Sequence, residues 1–382
     1  MVSMHVPEIY IGREQSYLKH QVLYEYLIGW GIKLASLGTK RQVRLCYVDA
    51  FSGPWKARGA NLEDTSIAIG IKALRTASET WGGDVKIEAF FVEKEPLAFA
   101  ELERFVATQP DGIEMTARCG EFGAHIEELN TWLKKDAAFI FVDPTGWKGA
   151  AMRFIAPLMN EPRRDVLVNV MFDHINRFKD DPRDFLRQQM RDFFGLADSN
   201  LPEMLDEEDL FNLYRSKLKE LCGVKYAADL AIPHPTDDRT KFRLVVGGSS
   251  PAVIELFRRI EAKVIGREAA TVREVATLRK AEKKTGQGSL FVVPPAVDRS
   301  YMKLHEKGLI EAPKAFLQEL HECRPVLFSD VWPKVLEANH ITKVELARIA
   351  WELYRVGDIK ITNLRTRQRT VKDDNIILPT KF

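Results

Sequence analysis

LCYVDAFSGPWKARG, residues 45–59, is the stretch of the sequence that decides the fold. An apolar run ends at Asp49, and the chain then turns through Ser52, Gly53 and Pro54. In open α/β sheets, a strand that stops at a carboxylate and breaks into a glycine-containing turn presents a nucleotide-like ligand at the carboxyl edge. Gly53 allows a tight turn and a close approach of the backbone to a ligand. An ordinary strand-to-helix turn has the same pattern, so later strand ends must decide between the two.

Two further carboxylates follow later apolar runs. Glu93 ends the run in FFVEKEP, residues 90–96, and Asp143 ends the run in FIFVDPTGWKG, residues 139–149. The carboxyl ends of parallel strands share one rim, so Asp49, Glu93 and Asp143 are expected to meet around one crevice. The Glu93 carboxylate can accept two hydrogen bonds, which suits the vicinal diol of a ribose. The alternative for Glu93 is a solvated acid at a strand end.

Apolar runs alternate with helical patterns along the first 250 residues. Strands that alternate with helices need crossover connections, which predicts a largely parallel sheet covered on both faces. A connector rich in turn formers, PHPTDDRTK, predicts an antiparallel hairpin at the end of this sheet. The predicted strands are residues 43–48, 87–92, 113–116, 138–142, 166–171, 226–232 and 242–246.

The last 70 residues have a different pattern. Three helices followed by a hairpin with a basic turn predict a winged helix-turn-helix, and the fold class is therefore α/β with this added unit. The predicted helices are residues 313–323, 329–337 and 343–355, and the predicted strands are residues 358–364 and 369–378. The predicted divisions are a sheet domain, residues 1–266, a charged connector, residues 267–312, and a winged-helix domain, residues 313–382.

Composition bounds the kind of protein. The 382 residues, with 45% hydrophobic and 29% charged side chains, are typical of a globular protein with a large core. The net charge of +2 gives no global field that would indicate nucleic acid or membrane. The four cysteines are widely separated, which predicts reduced, mostly buried thiols rather than disulfides or a zinc site. Without a long apolar segment, the chain is predicted to be cytoplasmic.

The turn DPTGW, residues 143–147, is the candidate for chemistry. Asp143 and the carbonyl of Pro144 could accept hydrogen bonds from an exocyclic amine and leave its lone pair directed at an electrophile. Trp147 offers an aromatic face for stacking a flipped base, although a capped turn with a packed tryptophan is the alternative. Glu121, after the third strand, lies in a polar turn where an adenine amine could bind.

Motifs of other catalytic classes are missing from the sequence. It contains no GxSxG, HExxH or GxxxxGK[ST] pattern. His174, in FDHINRF, lies just past a strand and could face the crevice with Asn169 and Arg177. Such a histidine more often caps or packs locally.

The nucleic-acid prediction rests on the tail. Residues 355–372 hold six basic side chains and one acidic side chain. Side chains in and just after a wing can meet phosphates or enter a minor groove. A solvated charged surface is the alternative, because winged helices also bind proteins. The predicted nucleic-acid-binding residues are Arg365, Arg367, Arg369 and Lys372.

Taken in order, these segments resemble a known family. DAFSG at residues 49–53, Glu93 and DP at residues 143–144 are similar to motifs I, II and IV of Rossmann-like, S-adenosylmethionine-dependent methyltransferases of the amino-group class. More narrowly, YVDAFSGP, FFVEKEP, FVDPTGWKG, VLVNV and the hairpin before LVVGGSS resemble the three-Cys-motif partner (TcmP) family. This resemblance covers roughly residues 15–265, and the tail resembles the winged helix of some members.

The resemblance implies a class I methyltransferase sheet that binds S-adenosylmethionine, and a functional partner protein with clustered cysteines. Together with the reasoning above, it gives two sets of site residues. The predicted cofactor-binding residues are Asp49, Phe51, Gly53, Glu93 and Glu121. The predicted catalytic residues, which would border the target amine, are Asp143, Pro144 and Trp147.

Two positions depart from the family pattern. Trp55 stands where such loops often have glycine, and it would either crowd the methionine end of the cofactor or point away and pack. Thr145 replaces the aromatic residue or proline common after Asp-Pro, which removes one stacking surface.

The sequence therefore predicts an S-adenosylmethionine-dependent methyltransferase that acts on a nucleobase amine in DNA or RNA, with a winged helix that aids nucleic-acid binding. The alternative is a non-catalytic, methyltransferase-like protein that binds nucleic acid or a cysteine-rich partner protein. Occupation of the methionine site by Trp55 would favour this alternative.

Overall fold

A seven-stranded sheet forms the larger part of the protein. The computed structural model describes residues 6–36, 43–53, 62–81, 85–109, 112–178, 181–196, 206–285, 299–320 and 324–380. The strands of the sheet are β1 (Val43–Asp49), β2 (Val85–Glu93), β3 (Ile113–Cys119), β4 (Ala137–Val142), β5 (Arg164–Val170), β6 (Tyr226–Pro233) and β7 (Thr240–Gly248).

The strand order is β3-β2-β1-β4-β5-β7-β6. Strands β1 to β5 are parallel, and β7 runs antiparallel to both β5 and β6. Every residue of β4, AAFIFV, is buried, as expected for a central strand that is covered on both faces. The predicted mostly parallel α/β sheet with a terminal antiparallel hairpin is confirmed, whereas the winged helix-turn-helix of the predicted fold class stays a prediction.

Helices cover both faces of this sheet. They are α1 (Glu14–Ser36), α2 (Ser66–Trp81), α3 (Pro96–Thr108), α4 (Ile126–Leu133), α5 (Met152–Ile155), α6 (Phe172–Phe178), α7 (Asp184–Phe194), α8 (Glu207–Cys222) and α9 (Ala252–Ile260). Helices α1, α2, α3 and α9 pack on one face, and α4, α5, α7 and α8 pack on the other. Neighbouring strand residues alternate between the two cores, with Tyr47 in the first and Val48 in the second.

A long helical segment connects this sheet to a smaller C-terminal unit. A π-helix, Glu261–Glu268, continues α9 into α10 (Ala269–Thr285). The smaller unit contains α11 (Arg299–Gln318), β8 (Val326–Leu327), α12 (Phe328–Ala338), α13 (Lys343–Val356), β9 (Ile359–Ile361) and β10 (Ile376–Pro379). Its three strands form an antiparallel sheet in the order β8-β10-β9. Helix α11 thus begins well before the predicted position 313, and β9 and β10 are shorter than predicted.

Buried charges attach the C-terminal unit to the sheet. Arg258 of α9 donates hydrogen bonds to the carbonyl oxygens of Leu336 (2.8 Å) and Glu337 (2.9 Å), in the last turn of α12. Helix ends leave such carbonyls without intrahelical partners, so the arginine caps this helix. The side chain of Glu337 in turn accepts the backbone N–H of Ala227 in β6 at 2.7 Å. The two units therefore share one hydrogen-bonded junction.

Asp229 of β6 lies fully buried beside this junction. Burial alone would raise the pKa of Asp229, but the guanidinium groups of Arg215 and Arg243 outweigh it and hold that pKa below its ordinary value. Removing either arginine would leave a buried carboxylate with less compensation, which is costly.

The sequence predicts reduced, mostly buried cysteines. Cys46 and Cys222 are free and buried, Cys119 is free and exposed, and Cys323 lies outside the described residues. Burial raises the pKa of the Cys46 and Cys222 thiols to about 12. Among the described residues, none of the helices combines the length with the apolar character that a membrane-spanning segment needs.

Candidate active site

A cleft opens where the parallel strands end. Its volume is about 140 Å³, and its walls come from the residues that directly follow or end β1, β2, β3 and β4. The charged and aromatic side chains among its lining residues are Phe51, Glu93, Lys94, Glu121, Phe122, Asp143 and Lys148. Four residues predicted from the sequence, one from each strand end, are therefore brought together: Phe51, Glu93, Glu121 and Asp143.

Asp49 lies behind this wall rather than in it. Its side chain is fully buried at the end of β1, and burial raises its pKa to about 6. One carboxylate oxygen accepts the backbone N–H of Phe51 at 3.2 Å, and the other accepts the Tyr47 hydroxyl at 3.2 Å. Asp49 thus shapes the turn that carries Phe51 into the cleft.

Ser52 fastens the same turn to the neighbouring strand. Its N–H donates to the carbonyl of Val92 at 2.8 Å, and its hydroxyl oxygen accepts the N–H of Val92 at 3.2 Å. The hydroxyl also donates to the carbonyl of Asp49 at 2.7 Å. Sequence reasoning treated Ser52 only as a turn residue, although a small hydroxyl residue beside a parallel strand end is a usable signal. Gly53 follows directly, and the prediction about Trp55 lies outside the described residues.

Glu93 ends β2 and is 5% exposed. Burial raises the pKa of its carboxyl, against a hydrogen bond from the backbone N–H of Glu95. That N–H donates to Oε1 of Glu93 at 2.7 Å, which fixes the side chain within the cleft wall. A carboxylate held in this way can accept further hydrogen bonds from a ligand hydroxyl.

The turn after β3 places Glu121 opposite Lys94. Gly120 donates its N–H to the carbonyl of Glu93 at 3.0 Å and has a φ of +140°. A Cβ atom at this position would lie 2.9 Å from Nε2 of His125, so the turn requires glycine on both grounds. Glu121 and Lys94 form a loose ion pair of 3.8 Å across the cleft.

Asp143 follows β4, and both of its carboxylate oxygens have partners within the protein. Nδ2 of Asn169, on β5, donates to Oδ1 at 2.6 Å. Nζ of Lys19, on α1, forms an ion pair with Oδ2. Sequence reasoning noted Asn169 only as a neighbour of His174 and missed Lys19, because no local pattern connects residues so far apart.

Pro144 and Trp147 are buried beside the cleft and are not among its lining residues, whereas Thr145 lines it. The Trp147 ring makes edge-to-face contacts with His174 (5.9 Å between centroids) and Phe178 (5.8 Å). Burial, reinforced by the charge of Arg177, lowers the pKa of His174. The structure thus places Trp147 in an aromatic cluster with His174 and Phe178.

The predicted nucleic-acid-binding side chains lie between β9 and β10. All four are exposed, and Arg365 pairs with Asp374. Within the described chain, no ion pair is found for the side chains of Arg367, Arg369 and Lys372. The shorter strands place these residues in a loop, residues 362–375, rather than partly in a strand as predicted.

The junction with the C-terminal unit lies toward the other end of the sheet from the cleft. Ala227, which bonds to Glu337, is level with Gly247 and hence with Val166, near the start of β5. The cleft lies beyond the carboxyl ends of the strands. The basic loop is therefore attached through contacts remote from the cleft edge.

Comparison with known proteins gives fold likeness alone. No family model and no curated protein matches the chain. Among solved structures, it is similar to a protein assigned as a caffeoyl-CoA O-methyltransferase from Staphylococcus aureus (11% identity, TM-score 0.30, 58% of this chain and 82% of that one). It is also similar to loganic acid methyltransferase with SAH (10%, 0.30, 74% and 92%) and to protein LPL1258 from Legionella pneumophila (10%, 0.33, 63% and 91%). At these scores the likenesses carry no weight for function.

Proposed function

We propose that the protein is an S-adenosylmethionine-dependent methyltransferase that acts on a nucleobase amine in DNA or RNA. The cleft supports this proposal, because it gathers Phe51, Glu93, Glu121 and Asp143 from four consecutive parallel strand ends. Ligands of open α/β sheets bind at this edge.

The cleft residues fit the proposed cofactor. Phe51, Val92 and Phe122 give an apolar surface that suits an adenine ring. Glu93 offers carboxylate oxygens to ribose hydroxyls, and Glu121 offers an acceptor to the adenine amine. When bound, the cofactor supplies a methyl group on a positively charged sulfur, and a wall carboxylate such as Glu93 complements that charge.

The chain's own part in the reaction is orientation. A neutral amine attacks with its lone pair, so the protein must hold its N–H groups and leave the lone pair directed into the cleft. Asp143 and the carbonyl of Pro144 border the place where that amine would lie. Once the amine carries the methyl group it releases one proton to solvent, and carboxylates at the rim favour that loss electrostatically.

The C-terminal unit is proposed to act as a winged helix that grips nucleic acid. Its order of helices and strands, with exposed arginines between β9 and β10, supports this part of the proposal. Phosphate contacts from such a loop are independent of sequence and weaken with salt. Membership of the three-Cys-motif partner family, and with it a cysteine-rich partner protein, belongs to the same proposal.

One observation favours the second candidate, a non-catalytic protein with a methyltransferase-like fold. Both oxygens of Asp143 already have partners, Lys19 and Asn169, which reduces what the carboxylate can offer a substrate. Such a protein would bind nucleic acid or a partner protein without transferring a methyl group.

Two measurements on the full chain separate the candidates. Calorimetric titration with S-adenosylmethionine tests the cofactor site, and transfer of a radiolabelled methyl group to mixed DNA and RNA tests the reaction. Saturable heat together with label in nucleic acid supports the enzyme. Absence of both from the protein, and from a Trp55→Gly variant, supports the second candidate.

A further inference from the structure

Asn169 is held in one orientation by its neighbour. It is the penultimate residue of β5 and is 3% exposed. Its contact with Oδ1 of Asp143, at 2.6 Å, must be made by the amide nitrogen, because a carboxylate accepts hydrogen bonds and cannot donate them. Oδ1 of Asn169 therefore points away from Asp143.

That amide oxygen is buried and has no hydrogen-bond partner among the described residues. Buried polar atoms in folded proteins nearly always have a partner. Of the other buried side-chain atoms with this property among the described residues, two follow β4 and β5, Nε1 of Trp147 and Nδ1 of His174. Asn169 lies at the end of β5, Trp147 in the turn after β4 and His174 in α6, directly after β5, and the bond between Asp143 and Asn169 connects the two strand ends.

Asp143 and Asn169 thus have different capacities toward a ligand. Asp143 accepts from Asn169 on one oxygen and from Lys19 on the other. Asn169 uses its donor for Asp143 and keeps its acceptor unused. Of the two side chains, Asn169 has the oxygen without a hydrogen-bond donor, and a primary amine would supply that donor.

We propose that Oδ1 of Asn169 accepts a hydrogen bond from the exocyclic amine of the target, and that Asp143 and Lys19 are positioning residues that lock the amide. This inference rests on the proposed function and names its substrate class: a heterocycle with a primary amine beside a ring nitrogen, such as adenine or cytosine. The neutral amide oxygen engages one N–H and leaves the lone pair of the amine free. The indole N–H of Trp147 is a hydrogen-bond donor, and the ring nitrogen beside the substrate's amine is an acceptor for such a donor.

The experiment measures recognition of the amine without requiring catalysis. Full-length protein saturated with S-adenosylhomocysteine is titrated with 9-methyladenine and with 9-methylpurine, which lacks the amine. We expect the wild type to bind 9-methyladenine roughly threefold to tenfold more tightly, the effect of one net hydrogen bond. In Asn169→Leu, which keeps the side-chain volume, the ratio should fall to about 1.

Asn130→Leu is the control, because Asn130 is a half-buried asparagine that contacts Arg164 instead of Asp143. It should keep the wild-type ratio. If Asn169→Leu does not fold, Asn169→Ala replaces it. A wild-type ratio near 1, or a wild-type ratio retained in a folded Asn169 variant, would overturn the inference.

The inference and the proposed function fail in different ways. If the wild type transfers no methyl group but its preference for the amine depends on Asn169, the inference stands and the proposal of an enzyme fails. If methyl transfer proceeds equally in the wild type and the Asn169 variant, Asn169 has no part in recognition and the proposal of an enzyme stands.

Discussion

The guanidinium group of Arg258 lies 2.9 Å from the carbonyl oxygen of Glu337, although 79 residues separate them in the chain. The same side chain also bonds to the carbonyl of Asp229 and to the carboxylate of Glu261, and it is 1% exposed. One buried cation therefore bonds both to the sheet and to the C-terminal unit.

Arg258→Met should lower the free energy of unfolding by about 3–5 kcal/mol, because the buried carboxylate of Glu261 would keep only its contact with His340 and the carbonyl of Leu336 would lose its arginine donor. Urea denaturation followed by circular dichroism measures this. Arg259→Met, at the exposed neighbouring position, is the control and should change stability by less than about 0.5 kcal/mol. Equal effects of the two substitutions would show that the junction contributes little.

Asp165 should make stability depend on pH. It is buried, accepts a hydrogen bond from Tyr26 at 2.8 Å, and burial raises its pKa from 3.8 to about 7. A folded pKa above the unfolded value means that its contribution is fully present below pH 3.8 and is lost as pH rises through 7. Asp165→Asn, which cannot ionise, should therefore gain up to about 4 kcal/mol relative to wild type between pH 4 and pH 8. Denaturant unfolding at several pH values checks this, and a constant difference would contradict it.

Glu93→Gln should weaken binding of S-adenosylmethionine by roughly tenfold or more, because the proposed charge-assisted hydrogen bond to a ribose hydroxyl would be replaced by a neutral one. Calorimetry gives the dissociation constant. Glu95→Gln is the matched control, since its exposed side chain lies two residues away and outside the cleft lining. Unchanged affinity in Glu93→Gln would place the ribose elsewhere.

Asp143→Ala should abolish methyl incorporation into nucleic acid and leave cofactor affinity within about twofold. The substitution releases both Asn169 and Lys19, so orientation of the amine is lost while Glu93 and Phe51 remain in place. Methyl incorporation and calorimetry on the same preparation test both halves. Incorporation equal to wild type would remove Asp143 from the mechanism.

Reversal of the loop charges, Arg365, Arg367 and Arg369 to Glu, should weaken binding to DNA or RNA and flatten its salt dependence. Each lost phosphate contact lowers the slope of log K against log salt by about 0.9 on B-DNA. Reversals on another surface, at Arg187, Arg191 and Lys217, give the control. A slope unchanged by the loop variant would assign the loop to protein contact.

The sequence predicts the sheet well because its strands are nearly continuous apolar runs that end in charged or polar residues. Glu93 and Asp143 could be located from that pattern alone, since parallel strands must end on one edge. The ion pair between Lys19 and Asp143 could not, because 124 residues separate the partners and α1 shows only a helical pattern locally.

Strands β9 and β10 are shorter than the sequence pattern predicts, and the reason is different. Asn363 accepts the backbone N–H of Ile376 at 2.8 Å, and Asn375 accepts the backbone N–H of Lys372 at 2.7 Å. These side chains satisfy backbone groups that a strand ladder would otherwise pair, so β-forming residues remain in a loop. Sequence patterns alone do not distinguish a strand from a loop whose backbone groups are bonded to side chains.

The arginine-capped junction also sets a length scale. Arg258 bonds to a carbonyl of β6 and to two carbonyls of α12. It therefore holds the sheet and the C-terminal unit in a fixed relative position. Under the proposed function, a nucleic acid bound by the C-terminal unit would reach the cleft at a constant spacing, so methylated positions should fall at a set distance from the protected footprint.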